Sequence, residues 1–227
     1  MKKFAMLVGN DEYKIHPLKN AVNDAKAVTK TLESLGFDCI CLQNIGLLDM
    51  VDELQRFGEK LHMADVGLFF FAGHGFQHEG KNMLASIDIN FDIDSETTMK
   101  AKSAELLDVV KTMNSSGVSV KIIILDSCRS SLTCGRGMSS SQIAYVPTSK
   151  GSIIAFSTSL GQEARDGKSN HSVYTEALLE HITSKGISVE DMFKAVRRSV
   201  GIATDDEQIS WEHTSLVGEF FFNPAEE

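Results

Sequence analysis

The 227-residue sequence has little positive charge and few of the residues that build linkers. Its 22 Lys and Arg are outnumbered by 31 Asp and Glu, so the formal net charge is −9. A nucleic-acid partner requires a basic surface that neutralises phosphates, and the composition argues against that class of partner. With three prolines, no internal repeat and no low-complexity tract, the chain contains no Pro-rich linker. We therefore expect a single domain over residues 1–227.

Cysteine and long apolar runs are also scarce. The four cysteines, Cys39, Cys41, Cys128 and Cys134, are too few and too irregularly spaced for a disulfide scaffold, and no Cys or His spacing fits zinc. The first apolar run ends at Val8, which is too early for a signal peptide or a membrane span. We therefore expect a cytoplasmic protein with no membrane partner, no structural disulfide and no cofactor.

The sequence does contain short apolar runs that alternate with helical patterns. Unbroken apolar runs between amphipathic helices are typical of a largely parallel sheet that is covered on both faces. The pattern therefore predicts a three-layer α/β fold. Strands are expected over residues 4–8, 37–42, 66–71, 120–125, 152–156 and 216–222, and helices over 20–35, 48–63, 103–113, 173–184 and 189–200.

Polar residues follow four of the predicted strands directly. These strand ends read GND at 9–11, AGHG at 72–75, DSCR at 126–129 and STS at 157–159. In parallel α/β sheets, ligands bind beyond the carboxyl ends of the strands, so all four segments are expected on one edge of the sheet.

His74 and Cys128 are the candidates for chemistry at this edge. A thiol becomes a nucleophile near neutral pH when a neighbouring base or cation lowers its pKa, and an imidazole can then protonate a leaving amine. The backbone N–H groups of Gly75 and Cys128 could bind the resulting oxyanion. The alternative for each residue is structural, because an isolated cysteine is most often a small buried apolar residue and an isolated histidine a surface or core residue.

Four stretches resemble the caspase-fold cysteine peptidases of clan CD, family C14. They are VGNDEY at 8–13, AGHG at 72–75, DSCR at 126–129 and NHSVYTEALLE at 170–180. The resemblance implies a caspase-hemoglobinase fold with a mostly parallel six-stranded sheet flanked by helices. It also implies a Cys128–His74 dyad, and we see no carboxylate that would complete a triad.

The residue two positions before the cysteine distinguishes branches of that family. Caspases that cleave after aspartate carry Gln there, whereas this chain has Asp126, which resembles metacaspases and paracaspases with an acidic S1 pocket. Metacaspases typically follow the cysteine with His-Ser-Gly, and this chain instead has Arg-Ser-Ser. The paracaspase or prokaryotic orthocaspase type therefore fits better. By the same resemblance, Asp24 and Glu163 are expected in the S1 pocket.

Structural alternatives stay open for these additional carboxylates. Asp24 could be a surface helix residue paired with Lys19 or Lys26, and Glu163 an exposed loop residue close to Arg165. The resemblance also suggests that Ser157, Thr158 and Ser159 flank the substrate backbone, although loop serines are usually only solvated.

Two loops bear on regulation. Residues 129–150 form a polar loop after the cysteine, where the resemblance suggests ordering on activation and where Arg136 is a possible self-processing site. The acidic segment 87–96 raises the question of calcium, but its spacing matches no EF-hand, so a solvated loop is favoured.

The apolar segment LVGEFFF begins at Leu216 and ends at Phe222, and it is expected to be a last strand at the edge of the sheet. The resemblance to paracaspases and caspases implies that this edge pairs in a homodimer. Activation is expected to come from another protein, a ligand or concentration-driven pairing.

The hypothesis from the sequence is a cysteine endopeptidase that cleaves protein or peptide substrates after Arg, and less readily after Lys. The alternative is a non-catalytic caspase-fold scaffold or a zymogen that binds a basic peptide or a signalling partner. A caspase-fold ligase is a further alternative, and nothing in the sequence addresses it.

Overall fold

The computed structural model describes residues 1–127, 149–159 and 170–225. Its strands are β1 Lys3–Gly9, β2 Phe37–Gln43, β3 Val66–Ala72, β4 Gly75–His78, β5 Lys81–Ala85, β6 Ser103–Glu105, β7 Val120–Asp126, β8 Ser152–Phe156 and β9 Trp211–Thr214. Its helices are α1 Ala21–Ser34, α2 Leu47–Leu61, α3 Glu96–Ala101, α4 Leu106–Ser115, α5 Val173–His181 and α6 Val189–Thr204.

A six-stranded sheet in the order β2-β1-β3-β7-β8-β9 forms the centre of the fold. The first five strands pair in parallel, and β9 pairs antiparallel with β8 at one edge. A second, antiparallel sheet has the order β4-β5-β6. The predicted α/β class with a mostly parallel six-stranded sheet is therefore confirmed.

Alternating side chains of the central strands supply two separate cores. Leu68 and Phe70 of β3 face one core, which α1, α5 and α6 cover, while Phe69 and Phe71 face the other, which α2 and α4 cover. Both faces of the strand are buried, which explains why β3 and β7 read as unbroken apolar runs. Within the described ranges, no helix is long and apolar enough to cross a membrane.

The prediction of a last strand over residues 216–222 is wrong. The last strand of the described chain is β9, and the segment from Leu216 to Phe222 has no strand conformation. Phe220 and Phe222 are buried in the core that also contains residues of α1 and α6. The ring centroids of Phe222 and Phe37 are 6.0 Å apart. Burial of these rings holds the segment against the core, so β9 and not this segment forms the edge of the sheet.

A helix predicted over residues 103–113 begins later than expected. Ser103–Glu105 is the strand β6, which pairs with β5, and the helix α4 starts at Leu106. The preceding hairpin, β4–β5, was not predicted. It turns through Glu79 and Gly80, both with positive φ, which is the backbone requirement of a tight hairpin turn.

Candidate active site

The sheet register brings the predicted polar strand ends together. Gly9, Ala72 and Asp126 are aligned across β1, β3 and β7, and Phe156 of β8 aligns with Leu125. The strands that precede His74 and Cys128 are direct neighbours, as the sequence hypothesis required. The described strand ends therefore lie at one edge of the sheet, where parallel α/β proteins bind ligands.

His74 is half-buried and follows β3 directly. Its Nε2 atom lies 2.7 Å from the backbone oxygen of His16. Because a carbonyl oxygen only accepts, Nε2 must carry the proton, and Nδ1 of the neutral ring is then the nitrogen that can take up another. Burial lowers the pKa of His74, and the hydrogen bond to His16 opposes that shift in part. The neutral ring is therefore favoured, as a general base requires.

Two aromatic rings pack against this imidazole. The ring centroid of Tyr13 lies 4.6 Å from that of His74, and the ring of Phe91 contacts it edge-on at 4.9 Å. The Tyr13 hydroxyl accepts the His74 N–H at 3.0 Å and donates to the Ala85 carbonyl at 3.1 Å. Neither ring was assigned a role from the sequence. Tyr13 lies inside the VGNDEY motif, in the loop after β1, and that position is a usable signal.

Gly73 leaves room for the Tyr13 hydroxyl. A Cβ atom at this position would lie 2.7 Å from Tyr13 Oη and 2.9 Å from Cζ of Phe71, well inside normal contact distances. The glycine before His74 is therefore explained by the close approach of a buried tyrosine.

Asp24 and Asp126 are both buried, with exposures of 2% and 6%, and they converge on Ser172. Asp24 accepts the Ser172 backbone N–H, with 3.3 Å to each of its oxygens, and Asp126 accepts the Ser172 hydroxyl. The surface alternative for Asp24 is wrong, because its carboxylate faces the interior from the first turn of α1. The structure therefore brings together two carboxylates that are 102 residues apart in the chain.

Further groups on and before α5 hold these carboxylates. Ser172 is the N-cap of α5 and accepts the Thr175 N–H at 2.9 Å, while the Thr175 hydroxyl donates to Asp126 at 2.7 Å. His171 Nδ1 lies 2.8 Å from Asp24 Oδ1. The sequence hypothesis did not include these three residues. The Ser-x-x-Thr spacing before an apolar run signals a helix cap, but nothing local signals that the cap contacts two distant acids.

Gly75 and residues 157–159, which follow β8, form hydrogen-bonded contacts within the protein. Gly75 opens β4 and pairs with Leu84 of β5. Ser157 and Thr158 are fully buried, and the Ser157 N–H and carbonyl bond to Leu125 and Gln208. The Ser159 hydroxyl donates to the Ile209 carbonyl at 3.0 Å. The main-chain groups of Ser157 are thus engaged within the protein itself.

Several predicted residues lie outside the described residues. They are the predicted nucleophile Cys128, its own N–H group, the S1 candidate Glu163 and the processing candidate Arg136, together with most of the predicted activation loop.

The acidic segment 87–96 is anchored by its carboxylates. Asp88 accepts the Leu47 N–H at 2.8 Å at the N-terminus of α2, and Asp94 forms an ion pair with Lys102 at 2.7 Å. Asp92 and Glu96 lie within 3.7 Å of His16 and His78. Asp88 and Asp94 therefore anchor the segment, whereas the side chains of Asp92 and Glu96 are 60% and 57% exposed to solvent. Across the described ranges, no group of three or more His, Cys, Asp or Glu converges as a metal site.

The model of the caspase domain, peptidase family C14, matches residues 2–221 of the chain. The chain belongs to the caspase domain family. The match extends over all the strands and helices described above. Members of this family are cysteine peptidases, which agrees with the imidazole at the end of β3 and with the motif that follows β7.

Two curated relatives and one solved structure extend this finding. Mucosa-associated lymphoid tissue lymphoma translocation protein 1 of Homo sapiens and its Mus musculus homolog are each 27% identical over 128 residues, 56% of this chain. The match spans only 15% of the length of each relative. The crystal structure of caspase-1 from Spodoptera frugiperda superposes with a TM-score of 0.71, over 99% of this chain and 91% of that one, at 19% identity. That likeness supports the fold alone.

Proposed function

We propose that this caspase-family chain is a cysteine endopeptidase that cleaves peptide bonds after Arg, and less readily after Lys. The observation that carries the proposal is the convergence of the buried carboxylates Asp24 and Asp126 on Ser172, beside the strand that leads into Cys128. A buried pair of acids at a strand end is suited to a substrate cation, because charge-assisted hydrogen bonds are strong where water is excluded.

The proposed reaction begins with proton transfer. His74 Nδ1 takes the proton of the Cys128 thiol, and the thiolate adds to the carbonyl carbon of the P1 residue. The N–H groups of Gly75 and Cys128 bind the oxyanion of the tetrahedral intermediate. His74 then gives its proton to the departing amine as the C–N bond breaks, which leaves a thioester. A water molecule, deprotonated by the same imidazole, hydrolyses the thioester and regenerates the thiol.

The two described acids of the proposed S1 pocket lie on α1 and β7, and residues at the start of α5 hold them. Asp126 is held by the hydroxyls of Ser172 and Thr175, and Asp24 by the Ser172 N–H. We assign Glu163 as the third acid of the pocket from the family resemblance. An arginine side chain can form bidentate contacts with such carboxylates, whereas lysine offers a single point charge, and this difference accounts for the proposed preference.

The deciding experiment compares hydrolysis of three fluorogenic peptides that differ only in Arg, Lys or Asp at P1. We expect the Arg peptide to be cleaved faster than the Lys peptide, and the Asp peptide not to be cleaved. All cleavage should disappear in Cys128→Ala. Cleavage of the Asp peptide, or activity that survives Cys128→Ala, would contradict the proposal. Silence with every peptide at concentrations that allow dimerisation, with and without calcium, would instead favour the scaffold or zymogen.

We propose in addition that the enzyme pairs as a homodimer and needs no metal. The edge strand β9, with Trp211 half exposed at 51%, replaces residues 216–222 as the pairing surface. Sedimentation of the wild type and of Thr214→Pro, a substitution at an exposed position of β9, would test the pairing, because a proline would remove a backbone donor at the edge. Activity unchanged by EGTA would support metal independence.

Self-processing at Arg136 is a separate part of the proposal. The support is its position in a glycine- and serine-rich segment downstream of the nucleophile. An Arg136→Ala chain that yields the same fragments as the wild type would rule out this site.

A further inference from the structure

Among the described residues, a small core cluster outside the central sheet lies beside His74. Its buried members include Tyr13, Met83, Ile89 and Met99, and Phe91 packs against it. The cluster joins the loop after β1 to the β4–β5 hairpin and to the acidic segment 87–96. The rings of Tyr13 and Phe91 also contact the imidazole of His74.

Three aromatic rings close on one another at this point. His74 lies 4.6 Å from Tyr13 and 4.9 Å from Phe91, and the two clamping rings are themselves 5.9 Å apart. Such tilted and edge-on contacts are the favourable geometries for aromatic pairs. The rings restrict rotation of the imidazole about its χ angles from two sides.

Hydrogen bonds fix the backbone of His74 in the same place. The Tyr13 hydroxyl bridges the His74 N–H and the Ala85 carbonyl, and the His74 carbonyl accepts the Ala85 N–H at 3.0 Å. Tyr13 is 3% exposed, so water has little access to its hydroxyl and does not compete for these hydrogen bonds. One buried side chain therefore holds both the main chain and the ring of His74.

Phe91 is held in turn by charged anchors on either side of it. Asp88 accepts the Leu47 N–H of α2, and Asp94 pairs with Lys102 and also accepts the Asn90 N–H at 2.8 Å. These contacts limit the movement of the segment that carries the ring.

We propose that Tyr13 and Phe91 are positioning residues that clamp the imidazole of His74 on the His16 carbonyl, so that Nε2 keeps its proton and Nδ1 remains the proton acceptor. The proposal rests on the proposed function for its catalytic meaning. Its structural content, a single tautomer held by two rings, can be measured without any substrate.

The test uses the full chain labelled with ¹⁵N-histidine, in which long-range ¹H–¹⁵N spectra at pH 8 report the tautomer of each ring. The chain has seven histidines, and a His74→Gln spectrum assigns the relevant one. We expect one Nε2–H tautomer in the wild type and in Phe91→Tyr. In Phe91→Leu and Tyr13→Leu, each of which removes one ring, we expect averaging between tautomers, together with a kcat reduced about tenfold and a KM within about twofold of wild type.

Met99→Ala is the matched control, since it opens a cavity in the same cluster from α3. It should lower the melting temperature and leave the tautomer of His74 unchanged. If Phe91→Leu and Tyr13→Leu both keep a single tautomer and wild-type kcat, the clamp is refuted. The same conclusion follows if Met99→Ala shifts the tautomer as strongly as they do.

The proposed function can fail separately from the clamp. If the wild type cleaves none of the three peptides, the peptidase proposal is contradicted, and the tautomer spectra alone decide whether the rings hold His74.

Discussion

At the scale of single residues, buried charge is the unusual feature of this molecule. Asp24 and Asp126 lie in the interior, where an ionised carboxylate is costly unless hydrogen bonds and charges compensate it. The compensation described above comes from main-chain and hydroxyl groups at the start of α5 and from the ring of His171. This arrangement is the basis of the proposed binding of a substrate cation.

Replacing Asp126 by Asn should remove negative charge from the proposed pocket and retain its shape. We expect kcat/KM for the Arg peptide to fall about 100-fold or more, because a buried charge-assisted contact to the substrate is lost. Steady-state kinetics with the Arg and Lys peptides would measure this. Asp191→Asn, an exposed residue of α6 that pairs with Lys194, is the control and should change kcat/KM less than about twofold.

Ser172→Ala should affect stability and specificity together. Loss of an N-cap costs about 1 kcal/mol, and here the same hydroxyl also donates to Asp126. We expect a lower urea midpoint and a reduced ratio of Arg to Lys cleavage. Ser188→Ala removes the corresponding cap of α6 and should lower stability alone. Equal effects of both variants on specificity would contradict the assignment of Ser172 to the pocket.

At the scale of elements, the acidic segment 87–96 connects α2 to the ring of His74. The N-terminus of α2 has Gly46 as its N-cap, which provides no side-chain cap, and the carboxylate of Asp88 serves instead. A Cβ atom at Gly46 would lie 2.9 Å from Asp88 Oδ2, so the glycine permits this approach. A helix and a loop far apart in the sequence therefore form one structural unit.

Asp88→Ala should destabilise the protein by about 1 kcal/mol, as expected for the loss of a helix cap and of a favourable charge at a helix N-terminus. Equilibrium urea unfolding with an unchanged m-value would measure it. Asp49→Ala removes a carboxylate from the same first turn, but not the hydrogen bond to Leu47. If both variants lower the free energy of unfolding by the same amount, the hydrogen bond from Leu47 to Asp88 contributes nothing beyond the charge of the carboxylate.

At the scale of the whole molecule, stability should depend on the ionisation of His74. Burial places its folded-state pKa below the usual value of 6.5, so below about pH 6.5 the unfolded chain binds more protons than the native state. The contribution of His74 to stability is therefore complete above about pH 6.5 and is lost as the pH falls through the lowered folded-state pKa.

Thermal melts of the wild type and of His74→Gln between pH 5 and pH 7.5 would test this expectation. The melting temperature of the wild type should fall more steeply with acidification than that of the variant. Parallel curves would show that His74 does not titrate differently in the folded and unfolded states.

Local patterns explain why most of the fold was predictable. The apolar runs of β1, β3 and β7 identify strands buried on both faces, and the glycine at position 36 ends the first helical pattern. The β4–β5 hairpin and β6 were missed because each is short, and only their mutual pairing stabilises them. The apolar segment at 216–222 was misassigned because burial of its rings beneath the helices, and not pairing at an edge, accounts for its composition.

The sequence by itself determined the fold class, the family resemblance and the positions of His74 and Asp126 at strand ends, because these depend on local periodicity and on short motifs. The tertiary structure alone decided that Asp24 is buried, that Ser172 joins it to Asp126, and that Tyr13 and Phe91 enclose the imidazole. Those contacts join residues separated by 17 to 148 positions, and no local pattern encodes them. Only the register of the parallel sheet and the packing of helices against it bring such residues within hydrogen-bonding distance.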